Sequence, residues 1–346
     1  MNIDDLPDEA PPGADANWPT SVPFSAWIRV LKRVWVMAGF HELGLIGGGL
    51  AFYCFLALTP LIAATVMIYG LIGNAETVRH QMQSMVEVVP PEVARVLEQQ
   101  LIQIVSTSSG VTGLALFIAL FFAIFGGMRA ARGMITALNI INEEHETRGF
   151  IKVSLKAAGL TVAAIGIALT GVLAGGVFAW LQSQASYFLG DSTASLFKFI
   201  TWGAAIILGT CGFALIMRYG PDRRPAKWRW VAPGAILATI LWMAVSFGFS
   251  LYVAYISDYN ATYGSLSAIV VFLMWLYLSA YGILLGALLN AELERQIFLD
   301  TTKGRDRPPG ERGAVLADVI DNHVPSLREL EQHKNQRAET RRAYAK

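Results

Sequence analysis

Between Arg229 and Glu292 the chain carries one charged residue, Asp258. The flanking runs, 230–257 and 259–291, are 28 and 33 residues long and uncharged. A helix needs about 20 apolar residues to cross bilayer hydrocarbon, so each run is long enough to cross once. Their junction, Ser257-Asp258-Tyr259-Asn260-Ala261-Thr262-Tyr263-Gly264, is a short turn. The stretch therefore predicts a transmembrane hairpin. Composition agrees: 54% of the 346 residues are hydrophobic and 15% charged, against about 25% charged in ordinary globular chains. Long uncharged runs between charged connectors exclude a soluble globular class and predict a polytopic membrane protein. A net charge of +1 gives no global attraction to nucleic acid, so the placement of the charges matters more.

Residues 1–23 open with a stretch, 1–20, that holds Asp4, Asp5, Asp8, Glu9 and Asp15 with four prolines and no apolar periodicity. They read as a disordered acidic tail, not a signal peptide, because the basic and apolar regions of a leader are missing. A membrane domain is expected over 24–298 and a charged tail over 299–346. From Phe24 to Ala38, Phe24, Trp27, Ile28, Leu31, Val34 and Trp35 read as one helical face, with Arg29, Lys32 and Arg33 off it. That face suits either the headgroup interface or packing on the protein's own helices. Six spans are predicted at about 43–73, 110–128, 157–183, 199–217, 231–256 and 265–290. Residues 74–108 are too polar to span, and their stripes predict two amphipathic helices forming an outer cap.

Within the spans, Pro60 predicts a kink. Gly47-Gly48-Gly49 and Gly171-x-x-x-Gly175 predict close helix approach. Pro233 is expected in the first turn of the fifth span, where its missing N–H costs nothing. Both cysteines, Cys54 and Cys211, fall in hydrophobic runs, so no disulfide framework is indicated.

Orientation follows from lysine and arginine. The connectors 74–108, 184–197 and 257–264 hold Arg79 and Arg95. The opposite set holds 24: three in the N-terminal segment, five in each of two loops and 11 from Ala291 onward, where they meet 10 acids. Lys198 sits at a boundary. Both termini are expected on the cytoplasmic side.

No predicted span has Asp, Glu, Lys, Arg or His in its interior. A charge at the bilayer centre costs about 3 kcal/mol or more and is retained mainly for ion or proton coupling. The polar groups at depth, among them Tyr53, Thr161, Thr210, Thr239 and Ser246, are expected to bond their own helix or bridge to a neighbour. The five histidines are scattered, and no phosphate loop appears. Glu143-Glu144-His145-Glu146 reads as a solvated charged face before it reads as a metal site. The cluster from Arg218 to Arg229 fits RNA or anionic headgroups, and also the ordinary cationic bias of an inward loop.

Several phrases are distinctive. Ala51-Phe52-Tyr53-Cys54-Phe55-Leu56-Ala57-Leu58-Thr59-Pro60-Leu61 opens the series, followed by an elbow from Arg129 to Ala137-Leu138-Asn139. Tyr219-Gly220-Pro221 precedes Ala232-Pro233-Gly234-Ala235. Tyr263-Gly264-Ser265-Leu266, Trp275-Leu276-Tyr277 and Gly286-Ala287-Leu288-Leu289-Asn290-Ala291-Glu292 complete it. In this order, over roughly 25–298, they resemble the YihY/BrkB family. The resemblance implies a six-span bacterial inner-membrane protein, formerly labelled ribonuclease BN, with roles in envelope or lipid transport. The family often has an acid within its Gly-Ala-Glu-Leu-Asn motif; here that position is Leu288, which counts against proton-coupled transport.

The sequence thus predicts an all-α, multi-pass inner-membrane protein with a non-enzymatic envelope role and no cofactor. Membrane lipids are its expected partners, with envelope proteins or self-association also open and nucleic acid not expected. Handling of a lipid or amphiphile is the leading reading. A structural or partner-binding role comes next, and a membrane ribonuclease last. Candidate positions are Tyr53, Pro60, Arg129, Asn139, Tyr219, Pro221, Pro233, Gly234, Tyr263, Gly264, Trp275, Tyr277, Gly286, Asn290 and Glu292. Asn290 is expected to bond the inner helix ends near Arg129–Asn139 or Tyr219. Reporter fusions at Ser192 and Asn260 should read as outside, and those at Glu144, Arg224 and Lys346 as inside. One robust inversion among the five would overturn the topology.

Overall fold

The computed structural model describes residues 12–72, 113–189, 191–255, 267–319, 323–326, 329 and 332. The expected outer cap at 74–108 and the Tyr263-Gly264 turn lie outside the described residues. Eight α-helices are described: α1 Phe24–Phe40, α2 Leu43–Ile72, α3 Gly113–Ile141, α4 Phe150–Leu189, α5 Asp191–Tyr219, α6 Trp228–Tyr255, α7 Ser267–Arg295 and the short α8 Val315–Asp318. No strand occurs among the described residues. The all-helical class follows from the solvent: in hydrocarbon each backbone N–H and C=O must be satisfied within its own segment.

By length and apolarity, four described helices can cross a membrane, or five if the bent pair α1–α2 counts as one span. That pair bends by 66° at His41-Glu42, where Glu42 adopts a left-handed φ of 54°. The expected count of six is therefore not reproduced by these helices.

α2 to α7 pack in chain order, α2 on α3, α3 on α4, α4 on α5, α5 on α6 and α6 on α7, and α7 returns to α2. The ring is tightest on two sides. A Cβ on Gly126 would lie 3.1 Å from the Cα of Ala57, so α3 meets α2 backbone to backbone. α7 meets α6 as closely at Gly286. Of the glycine triplet, Gly47 faces the α7 backbone at Tyr281, whereas Gly48 and Gly49 meet nothing. Thr210 and Thr239 each donate to the carbonyl four residues back and also meet each other at 2.9 Å across α5 and α6.

Three expectations change. α1 packs on α7 through Ala26, Val30, Arg33, Val34 and Met37, so Arg33 lies on the buried face. The apolar side chains assigned to one face divide: Phe24, Ile28, Leu31 and Trp35 form an exposed stripe, while Val34 turns inward. Arg33 is drawn in by a carboxylate on α7, a partner that helix periodicity cannot foresee. Pro233 is the sixth residue of α6, not a first-turn residue, because Trp228-Arg229-Trp230 extend the helix at its start. Finally, residues 299–319 do not behave as a tail. Asp300, Thr301, Thr302, Arg312, Leu316 and Ala317 are buried against the end of the bundle.

That end is a folded polar layer. Gln296 donates to the Pro12 carbonyl and the Phe298 N–H to that of Ala14, which ties the segment before α1 to the end of α7. Ala226 and Thr302 form an antiparallel bridge, flanked by Lys227 N–H to Thr301 O and Lys303 N–H to Pro225 O. Arg312 fastens the last turn by donating to the carbonyls of Phe298, Ala317 and Arg307.

Candidate functional site

The densest chemistry lies where α7 runs out of hydrocarbon, between Gly286 and Arg295. A Cβ at Gly234 would sit 2.0 Å from the Gly286 carbonyl oxygen, and one at Gly286 would sit 2.3 Å from that of Gly234. Only paired glycines admit this approach. One turn further, the Asn290 side chain crosses to α6: its Oδ1 accepts the Gly234 N–H at 2.7 Å, and its Nδ2 donates to the Val231 carbonyl at 2.9 Å. Nδ2 also lies 3.6 Å from the Met217 sulfur of α5. The expected partners near Arg129–Asn139 or Tyr219 are thus replaced by the opening turns of α6. The reason is local: Pro233 disturbs that backbone, and the glycine contact brings it within reach of an amide.

Beneath this seam lie the carboxylates. Glu292 Oε2 is 3.0 Å from Arg33 Nε, with both side chains 1% exposed. Arg33 Nη2 also donates to the Glu292 carbonyl at 2.6 Å. Arg295 joins Glu292 to Glu143. Glu294 takes Arg223 in a fork, at 2.5 and 2.6 Å, and also accepts the Thr301 hydroxyl. Arg223 reaches Asn142 as well.

The loops after α3 and α5 are locked to each other. Asn139 accepts the Asp222 N–H and donates to Glu146; Arg148 then pairs with Glu146 and Asp222. The Arg148 hydrogen bonds hold the Glu146 carboxyl below its ordinary range. At Asp222 burial pushes upward, but the Thr147 hydrogen bonds and Arg148 outweigh it, and its pKa also falls. This clamp contributes fully above the unfolded carboxylate range of about 4 and weakens as pH falls through the lowered values. Glu144 differs: burial raises its pKa, although it accepts the Val315 N–H and feels Arg223. The Glu143-Glu144-His145-Glu146 run is therefore dispersed among Arg295, Val315 and Arg148. Among the described residues no three His, Cys, Asp or Glu side chains converge as a metal site.

The candidates read from sequence fall in separate places. Asn139, Tyr219, Pro221, Pro233, Gly234, Gly286, Asn290 and Glu292 gather at this charged end. Trp275 lies elsewhere on α7, donating to Ser246 and stacking on Phe272. Tyr277 stacks on Tyr281 beside Gly44. Tyr53 and Pro60 sit half-buried along α2, and Arg129 is exposed over the Phe125 ring. Sequence reasoning missed Arg33, Arg148, Asp222, Arg223 and Glu294. The paired acids Glu292 and Glu294 directly after an uncharged helix were the available signal.

The profile of the family described as virulence factor BrkB matches residues 34–311. The chain belongs to that family. Among relatives, the ribonuclease-like protein YfkH of Bacillus subtilis is 28% identical over 77% of this chain and 95% of its own length. A UPF0761 membrane protein of Rhodospirillum centenum is 27% identical over 88% of this chain, and one of Kangiella koreensis is 26% identical over 78%. The match spans 64% and 65% of those two proteins, so they are substantially longer than the matched region. No solved structure matches. Together with the apolar helices, membership makes this a multi-pass membrane protein of the BrkB family. Leu288 is fully buried in the core between Leu284 and the Glu292 layer.

The seam yields a graded prediction. Asn290→Ala removes two interhelical bonds and should lower stability by about 1 kcal/mol, since such bonds average about 0.6 kcal/mol each in membranes. Gly286→Leu drives a side chain into the Gly234 carbonyl and should cost about 3 kcal/mol or prevent folding. Thermal unfolding in detergent should rank them in that order; equal effects would contradict the backbone contact. For the ion pair, Glu292→Leu alone strands Arg33 and should cost about 3–5 kcal/mol, whereas Glu292→Leu with Arg33→Met should recover most of the loss. A double variant no more stable than the single would show that Glu292 acts through other partners.

Proposed function

We propose that this protein is a non-enzymatic envelope component of the bacterial inner membrane that handles a lipid or amphiphile along the lateral surface of its bundle. The observation that carries this reading is the contrast between its two parts. At the charged end the ring is interlocked by ion pairs, by Asn290 and by the segments before α1 and after α7. The crevice there holds about 30 Å³, space on the order of one or two waters. Above it, α4 and α5 stand apart. α4 packs on its chain neighbours, and α5 reaches α7 at the charged end through Met217. Over Phe150–Ile167 of α4, which starts at the charged end, and Phe199–Tyr219 of α5, 11% of residues are buried, against 33% in Trp228–Tyr252 of α6 and 39% in Ile269–Arg295 of α7. Gly166, Gly203 and Gly209 have open space where a Cβ would stand. A closed polar end and loosely packed apolar flanks suit a cargo that approaches from the bilayer better than one that approaches from water.

The lysine and arginine bias places the charged end, with both termini, on the cytoplasmic side. No carboxylate occupies position 288, so the handling proposed here does not draw on a proton at that site. The ribonuclease-like name belongs to the Bacillus relative, and the dispersal of Glu143, Glu144 and Glu146 among structural partners argues against a shared catalytic role for them. A purely structural or partner-binding role is the alternative.

Liposomes containing the purified protein should equilibrate a fluorescent phosphatidylglycerol between leaflets faster than protein-free liposomes. The rate should not change when a pH gradient is dissipated. Folded, reconstituted protein that neither accelerates exchange nor binds lipid would leave the structural reading in its place.

A further inference from the structure

Arg218, at the end of α5, is 4% exposed, yet its Nε and Nη1 have no hydrogen-bond partner. No carboxylate pairs with it among the described residues. Its guanidinium lies 4.2 Å from the Trp228 ring centroid and 5.2 Å from that of Tyr219, and the two rings meet edge to face. These contacts attract a cation, but they leave the Nε and Nη1 donors unused. Arg218 lines the small crevice at the charged end, together with Asn142, Arg223, Asn290 and Glu294. The one carboxylate there, Glu294, is already held by both arms of Arg223. A buried cation without a counter-charge is costly, and the cost disappears when an anion supplies acceptors.

We propose that Arg218 is the anchor of a phosphate-binding site at the junction of α5 and α6. The free volume admits an oxygen atom rather than a whole phosphate, so the phosphorus would remain at the mouth. On the Arg218 side stand Trp228 and Tyr219, 49% and 38% exposed, the pair expected of an aromatic belt at headgroup depth. Along α6 from this point, Ile236, Ile240 and Phe247 share one exposed face. That face gives acyl chains a path into the bilayer. A phosphodiester lipid satisfies both features, and free phosphate satisfies the first. The site does not depend on the transport reading, since a lipid held permanently would fill it equally well.

The test uses full-length protein, delipidated in maltoside detergent and titrated with dioctanoyl phosphatidylglycerol, dioctanoylglycerol or inorganic phosphate while thermal unfolding is followed. The phosphatidylglycerol should raise the wild-type Tm, and the phosphate-free dioctanoylglycerol should not. A shift of equal size with inorganic phosphate assigns the site to the free anion; a shift with the lipid alone assigns it to a headgroup. Arg218→Met should weaken the apparent affinity about tenfold or more, the worth of a charge-assisted hydrogen bond. Without ligand this variant should unfold no earlier than wild type, because it removes an uncompensated charge. Arg218→Lys keeps the charge but loses the planar fork, and should fall between the two; it carries the test if Arg218→Met does not fold. Lys32→Gln, an exposed cation elsewhere, should bind as wild type does. Equal ligand shifts in wild type and both Arg218 variants would overturn the proposal. So would stabilisation by dioctanoylglycerol equal to that by the phospholipid, or the absence of any shift in wild type.

Discussion

The contact between Gly234 and Gly286 sets the geometry of everything below it. Two helices that touch backbone to backbone put their polar groups within reach of one short side chain. Asn290 uses that proximity on either side of Pro233, taking the Gly234 N–H and giving to the Val231 carbonyl. In hydrocarbon a backbone that packs this closely has only a neighbouring helix to supply further polar partners. The close approach and the asparagine therefore form one device. Remove the glycine pair and the amide no longer reaches; remove the amide and α6 keeps its proline but loses its brace.

From that brace the charges follow in sequence. Glu292 and Glu294 leave hydrocarbon together, one taking Arg33 from α1 and the other Arg223 from the loop after α5. Buried pairs of this kind contribute little net stability, because desolvation offsets attraction. Their effect is selective: α1, the loop at 220–227 and the segment at 300–303 each have one place to go. The same logic explains Glu143, which holds a left-handed φ of 55° after α3. Its N–H returns to Ile140 and that of Glu144 to Asn139, the bonding of a Schellman close, usually made by glycine. A glutamate stands there in exchange for its ion pair with Arg295.

Legibility divides along the same line. The uncharged runs pointed to the helices α5, α6 and α7, because membrane solvation is written in composition, but α5 begins at Asp191, inside a stretch read as an outer connector. Pairing was another matter. Asn290 was recognisable as a bridging residue, but its partner depended on a crossing that Gly282-x-x-x-Gly286 hinted at without naming the other helix. Arg33 was misplaced because face assignment counts apolar residues, and α1 has two apolar faces, one on α7 and one exposed. Residues 299–319 looked like a tail because their charges balance and lack periodicity. They fold because their buried polar groups have designated partners, as Asp300 does with Thr302, Arg224 and the Arg307 N–H. Such order lies in three-dimensional pairing and leaves no periodic trace.

The boundary on α7 also bears on mechanism. Leu284 and Leu288 are fully buried, and the first acid beyond them is Glu292, already engaged by Arg33 and Arg295. An acid at 288 would stand one turn deeper, between the apolar core and the Asn290 seam, without a cation beside it in this sequence. With leucine at 288, every described ion pair on α7 lies at its polar end. A machine driven by protonation needs a titratable group at the moving part. Among the described residues the acids of α7 lie where the chain is most tightly tied, and the least buried helices, α4 and α5, present apolar side chains and glycine gaps. The physics that such an arrangement favours is packing against lipid, with the charged end serving as a fixed base.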